Sequence, residues 1–163
     1  MDEFKVFKTY KERGEWAELR FMAEAMFHGY KVSKPWGSSA FDIGVESGRR
    51  ILRVQVKSTS NRTGTGYLCQ FKPNATKKQD YTLQQIDFFA AYVIPKDRWY
   101  IIPAKVILGV RRKHAIMFCP IQPLKKGRYS HEHYLEAWPL MFPREKKIAA
   151  KPSPNRRSKE TRL

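Results

Sequence analysis

The chain has 163 residues, enough for one hydrophobic core and too few for two comfortable ones, so a single domain with a short appended tail is expected. A hydrophobic content of 42% with 13% aromatics belongs to a folded globule, while two cysteines argue against a disulfide framework and a CxxC zinc site. The opening residues carry no apolar leader and no segment approaches about 18 uncharged apolar residues, so a cytoplasmic protein is expected rather than a secreted or membrane-spanning one.

Charge is the unusual quantity. Lysine and arginine total 32 against 15 acidic residues, a net charge of +17. Residues 144–163 hold eight basic and two acidic groups, leaving 24 against 13 and a balance of +11 for the remainder. The body of the protein is therefore basic in its own right. Such a surface suits a polyanion, because each neutralised phosphate releases condensed counterions.

In chain order, "RGEWAELRFMAEAMFHG" (residues 13–29) has Trp16, Leu19, Ala23 and Met26 at helical spacing, with Gly29 where a left-handed cap is wanted. "YKVSKPWGSSA" gives a short extended piece and a turn. "FDIGV" and "RRILRVQVKS" flank "ESGR" as a hairpin. "YLCQF" follows the loop "TGTG" as a strand, and "IDFFAAYVI" is apolar enough for a strand buried on both faces. "PKDR" turns the chain so that "WYIIP" pairs back antiparallel. "AKVILGV" reads as a short helix, "AIMFCPI" as a strand, and "SHEHYLEAW" as a short helix opened by Ser130 with a loose capping pattern. Beyond Pro143 little remains to pack, and a disordered basic tail over 144–163 is expected. The whole is an α/β or α+β domain, residues 1–143, with a central mixed sheet flanked by helices.

The chemistry-bearing residues lie in the hairpin. Alternation puts Val54, Val56 and Ser58 on one face of the strand and Arg53, Gln55 and Lys57 on the other. Folding back the hairpin brings Asp42 beside Gln55 and Lys57. A carboxylate and an amide oxygen are hard ligands suited to Mg²⁺, and the Val56 carbonyl offers a third oxygen. The Lys57 ammonium can orient or deprotonate a water and offset charge on a pentavalent phosphate. Phosphodiester hydrolysis is the reaction such a group would serve. The competing reading is an edge strand with a polar outer face, Lys57 a solvated charge and Asp42 a turn residue.

Taken in order, "GEWAE", "HGYKVSKPWGSSAFDIGVE", "RVQVKS" and "DFFAAYVIPKDRWYIIPA" resemble the nuclease core of the PD-(D/E)xK superfamily, most closely the homing endonucleases associated with group I introns. The resemblance spans roughly residues 12–104. It implies a restriction-endonuclease-like fold and Mg²⁺-dependent, site-specific cleavage of double-stranded DNA that promotes intron insertion. It also implies Asp42 as metal ligand, Gln55 at the second acidic ligand position, Lys57 as the family lysine and Glu18 as the first-helix acid, with Glu15 as the alternative. A neutral amide at Gln55 lowers the charge available to a metal, so metal binding is expected to be cooperative with DNA.

Because one site cuts one strand, a homo-oligomer (dimer or tetramer) is expected. Arg62, Lys72, Lys77, Lys78, Arg111, Arg112 and Lys113 are the candidate DNA contacts, standing in or beside loops. Trp36, Trp99 and Trp138 are expected to pack internally, and His131 and His133 diverge too far on a helix to bind metal. Cys69 and Cys119 read as core thiols. Two rivals stay open: a Holliday-junction resolvase, which prefers branched DNA, and a non-catalytic DNA-binding module.

Overall fold

A computed structural model describes residues 7–72, 80–120 and 131–142. Helix α1 (Tyr10–Phe27) opens at Thr9, whose hydroxyl accepts the Glu12 N–H at 3.1 Å, and the chain leaves it at Gly29 with φ +85°. That left-handed conformation is strained for any residue with a Cβ and natural for glycine. The buried face of α1 is Ala17, Phe21 and Ala25. This corrects the apolar stripe expected from the sequence: Leu19 and Met26 are 62% and 61% exposed, Ala23 is exposed, and Trp16 packs only partly against the core. Two alanines one turn either side of Phe21 let the helix lie close to the sheet, whereas a Leu/Met stripe would hold it away.

Strands β1 (Val32–Ser33), β2 (Ile43–Ser47), β3 (Arg50–Thr59), β4 (Arg62–Thr63), β5 (Gly66–Gln70), β6 (Phe88–Val93), β7 (Arg98–Pro103) and β8 (Ala115–Phe118) are joined by α2 (Ala104–Leu108) between the last two. They divide into a mixed sheet in the order β1-β2-β3-β6-β7 and a three-stranded antiparallel sheet in the order β4-β5-β8. Among the described strands, only β3 and β6 run parallel within the larger sheet. The expected hairpin is β2–β3, turning at Gly48 with φ +62°. The mixed sheet is as expected, but the separate small sheet is not foreshadowed by strand propensity.

The two sheets explain the apolar run in β6. Ala90 and Tyr92, with Trp99 and Ile101 of β7, join Phe21, Val54 and Trp138 in the core under α1. Phe89, Ala91 and Val93, with Tyr100 and Ile102, face the second sheet and pack with Cys69, Ile116 and Phe118. A strand covered on both sides has no polar face to offer. Cys69 and Cys119 are buried free thiols, as expected.

The C-terminal helix expected over "SHEHYLEAW" is instead two 3₁₀ turns, Glu132–Tyr134 and Trp138–Met141. Between them Glu136 adopts φ +49°, and its backbone N–H and carboxylate bind the backbone of Trp99 at 2.8 Å each. Glu132 likewise accepts the Tyr100 hydroxyl at 2.6 Å and the Cys119 N–H at 2.7 Å. Both glutamates are spent tying this segment to β7 and β8, which a continuous helix would forbid. Ser130 and the expected basic tail lie outside the described residues. Among the described residues no helix is long and apolar enough to cross a membrane.

Candidate active site

The site forms where β2 gives out and β3 continues. Ile43 pairs with Val54, and the Asp42 N–H still reaches the Val54 carbonyl at 2.9 Å. Residues 55–59 of β3 then run on with no β2 partner on that side. In an antiparallel pair the N–H and carbonyl of one residue point the same way, so both main-chain groups of Val56 face the position β2 has vacated. The Asp42 carboxylate fills it, with Oδ2 accepting the Val56 N–H at 2.8 Å and the Gln55 carboxamide N–H. The strand opening thus places a carboxylate, an amide side chain and a main-chain carbonyl together. Gln55 is only 7% exposed, so its amide is held rather than solvated.

Asp42, Gln55, Val56 and Lys57 line one wall of a cleft of about 570 Å³, and Arg13, Gly14 and Glu18 of α1 line the other. Burial pushes the Asp42 carboxyl up to about 6, and the nearby Glu18 charge adds to this, while the Val56 and Gln55 hydrogen bonds and Lys57 oppose it. Lys57 is drawn the other way, below the ordinary ammonium value, because burial outweighs its attraction to Asp42. Its Nζ donates to the Tyr81 hydroxyl at 3.0 Å and to the Lys72 carbonyl at 3.3 Å. An acid and a base whose ionisations are pushed toward neutrality in one cleft are the usual mark of a chemical site.

The structure brings together the residues carried over from the resemblance, Glu18, Asp42, Gln55 and Lys57, and Val56, expected for its carbonyl. It adds two that sequence reasoning missed. Lys34 donates to Glu18 Oε2 at 2.6 Å, and that bond first, against partial desolvation, raises its own ionisation above the ordinary lysine value. Tyr81 holds Lys57, and is itself placed by Arg112, which binds the Tyr81 carbonyl at 3.2 Å and Asp80 at 3.1 Å. The Lys34–Glu18 and Lys57–Tyr81 pairs stand 16 and 24 residues apart, so no local spacing announces either.

The donors fit a hard divalent cation on their chemistry: the second oxygen of Asp42, the Gln55 amide oxygen once the carboxamide is turned, the Val56 carbonyl, and Glu18 across the cleft. Mutual repulsion between Asp42 and Glu18 is what a cation would relieve. Among the described residues no group of three or more His, Cys, Asp or Glu gathers, here or elsewhere, so the donor carboxylates are Asp42 and Glu18, with the remaining donors neutral. His131 lies against Lys113 and His133 against the Tyr134 ring.

Of the candidate DNA contacts, Arg62, Lys72, Arg111 and Arg112 are exposed. Arg112 is engaged with Tyr81 and Asp80, and the Lys113 ammonium lies 3.2 Å from His131. Lys77 and Lys78 fall outside the described residues. Trp99 and Trp138 are buried as expected, but Trp36 is 102% exposed, a correction. It sits between Pro35 and Gly37, the latter at φ +75°, in a turn that carries the indole away from either core.

A mixed five-stranded sheet covered by a helix, with an acidic group at the open flank of its central strand, defines a restriction-endonuclease-like core. Residues 8–141 match the model of the PD-(D/E)XK endonuclease family, and the chain belongs to that family. Membership places it among nucleases that act on DNA. The fold is similar to that of the bacterial homing endonuclease I-Ssp6803I, with 24% identity and a TM-score of 0.69 over 82% of this chain and 93% of that one. A Holliday junction resolvase, Hjc from Archaeoglobus fulgidus, is more distant, with 17% identity and a TM-score of 0.43 over 64% of this chain and 84% of that one. No curated protein matches the chain.

Proposed function

We propose that this nuclease is a Mg²⁺-dependent, site-specific endonuclease of double-stranded DNA, working as a homo-oligomer in the manner of the intron-associated homing enzymes. The observation that carries the reading is the convergence of Asp42, Gln55, Val56 and Lys57 on one cleft, with Glu18 opposite. The homing-type specificity rests on the resemblance and on the fold shared with the bacterial homing endonuclease. A net charge of +17 supplies the attraction to a long duplex.

Asp42, Gln55, the Val56 carbonyl and Glu18 would hold the cation. When bound, Mg²⁺ supplies charge neutralisation at the phosphoryl oxygens and acidifies water. Lys57 holds and moves the proton: burial lowers its ionisation, so Nζ can orient the attacking water and, as the neutral amine, accept a proton from it. Tyr81 fixes the direction of that ammonium at 3.0 Å. Asp42 takes both the Val56 N–H and the Gln55 amide on Oδ2, which leaves its other oxygen to serve a cation. Gln55 contributes no negative charge, so a bound cation would draw on the scissile phosphate for the missing charge, and metal and DNA would bind cooperatively. A second copy of the chain delivers the second cut.

The test is incubation of the purified protein with a plasmid library of random target sequence, with Mg²⁺ or with EDTA, followed by sequencing of cut ends. Discrete Mg²⁺-dependent ends are expected. An intact library, with junction DNA also left whole, would replace the enzyme with a binding module.

A further inference from the structure

The segment between β1 and β2 carries a large aromatic group with no packing role. Trp36 is 102% exposed, in a chain whose other described tryptophans are buried or partly buried. An indole held out of the core forgoes the stabilisation of burial, so it needs a reason in what it meets. Its backbone is not loose. Pro35 fixes the preceding φ, Gly37 takes the left-handed turn, and two residues before the indole Lys34 is pinned to Glu18 at 2.6 Å.

That pin ties the start of the indole's segment to Glu18, which lines the cleft. From Trp36 the chain continues six residues on to Asp42, the carboxylate at the cleft's floor. From residue 31 to 41 the segment holds Lys31 and Lys34 and no acidic residue. Both lysines already face a carboxylate, Lys34 that of Glu18 at 2.6 Å and Lys31 that of Glu46 at 4.0 Å, so the pull toward phosphate comes from the chain's net charge of +17, and a nucleic acid adds a base face for the ring.

Resting on the nuclease reading, we infer that Trp36 is a DNA-positioning residue that inserts against a base step beside the scissile phosphate. Apolar side chains entering a step unstack it and bend the duplex, and pyrimidine–purine steps yield most readily. The wedge would open the backbone where Asp42 and Lys57 act and would favour sites carrying such a step near the cut. Trp36 touches no reacting atom, so its effect falls on DNA affinity and site choice rather than on the metal.

The experiment uses the full chain in EDTA, so that nothing is cut, with linear random-sequence duplex DNA at low salt. Wild type, Trp36→Phe and Trp36→Ala are compared by tryptophan emission, acrylamide quenching, DNA affinity and sedimentation. Duplex should quench the wild-type emission and shield its accessible indole from acrylamide, a response absent in both variants. Trp36→Ala should bind about 5- to 150-fold more weakly, the range seen when an aromatic stacking on a base is truncated, and Trp36→Phe should recover most of that loss. Equal affinity in Trp36→Ala with no wild-type emission change overturns the inference. So does a change in sedimented mass with unchanged DNA affinity, which makes the indole a protein contact. A wild type that binds no duplex at all removes the nuclease reading first and this inference with it.

Discussion

Asp42 makes the site a source of instability in the metal-free protein, and the size of the effect follows from its surroundings. Burial first, then the Glu18 charge, moves its carboxyl from 3.8 to about 6. At about 1.36 kcal/mol per pKa unit, that displacement is worth about 3 kcal/mol between the protonated and ionised forms. Because the folded value is the higher one, the stabilising contribution is complete below about pH 4 and is lost as pH rises through about 6. Asp42→Asn keeps an oxygen for the Val56 N–H, cannot ionise, and lets Gln55 turn its carboxamide to match. In EDTA the variant should therefore be up to about 3 kcal/mol more stable than wild type at neutral pH, or about 6–12 °C in Tm for a chain of this length, while cleaving nothing. Near pH 4 the two should unfold together. Thermal unfolding of both proteins in EDTA across that range is the assay. Added Mg²⁺ should then raise the neutral-pH Tm of wild type alone, through binding to the folded form. Curves for wild type and variant that stay parallel at every pH would refute the assignment of a destabilised carboxylate.

Three further outcomes follow from the packing and the charges. Lys34→Ala removes the cation now facing Glu18 at 2.6 Å and leaves the two carboxylates uncompensated, so calorimetry should find tighter Mg²⁺ binding in the free protein. Gly66→Ala places a Cβ 2.6 Å from both the Phe118 carbonyl and Cys119 Sγ, a backbone clash that should separate β5 from β8 and lower denaturant resistance by about 1–3 kcal/mol. Phe21→Ala, at a fully buried ring between Trp99 and Trp138, should cost about 3–5 kcal/mol by chemical denaturation and loosen α1, with Glu18, from the sheet.

Much of the site is legible in the sequence because it is nearly local. Asp42, Gln55, Val56 and Lys57 belong to one hairpin, and strand alternation with a short turn suffices to bring them together. β6 announces itself through an unbroken apolar run, and Gly29 through the geometry that only glycine takes without strain. What stays hidden depends on distant partners. Lys34 and Tyr81 acquire meaning only through contacts with Glu18 and Lys57. The buried face of α1 departs from its apolar spacing because the sheet accepts two alanines and one phenylalanine, and spacing alone cannot tell a packed stripe from an exposed one. The segment after Ser130 has helical composition, yet Glu132 and Glu136 find better partners on β7 and β8 than a helix could offer. Trp36 misleads because most tryptophans are buried, and nothing in its local sequence marks this one as turned outward.

The proposal that Lys57 performs chemistry, at a site whose metal donors are Asp42, Gln55 and Val56, stands or falls on single-turnover cleavage by Lys57→Ala. The variant is run beside wild type in Mg²⁺, with duplex affinity measured on the same preparations. Cleavage lost by about 10²-fold or more with affinity nearly unchanged is the predicted result, since one ammonium is a small part of the phosphate attraction. Cutting at the wild-type rate would make Lys57 an ordinary buried charge and move the site elsewhere.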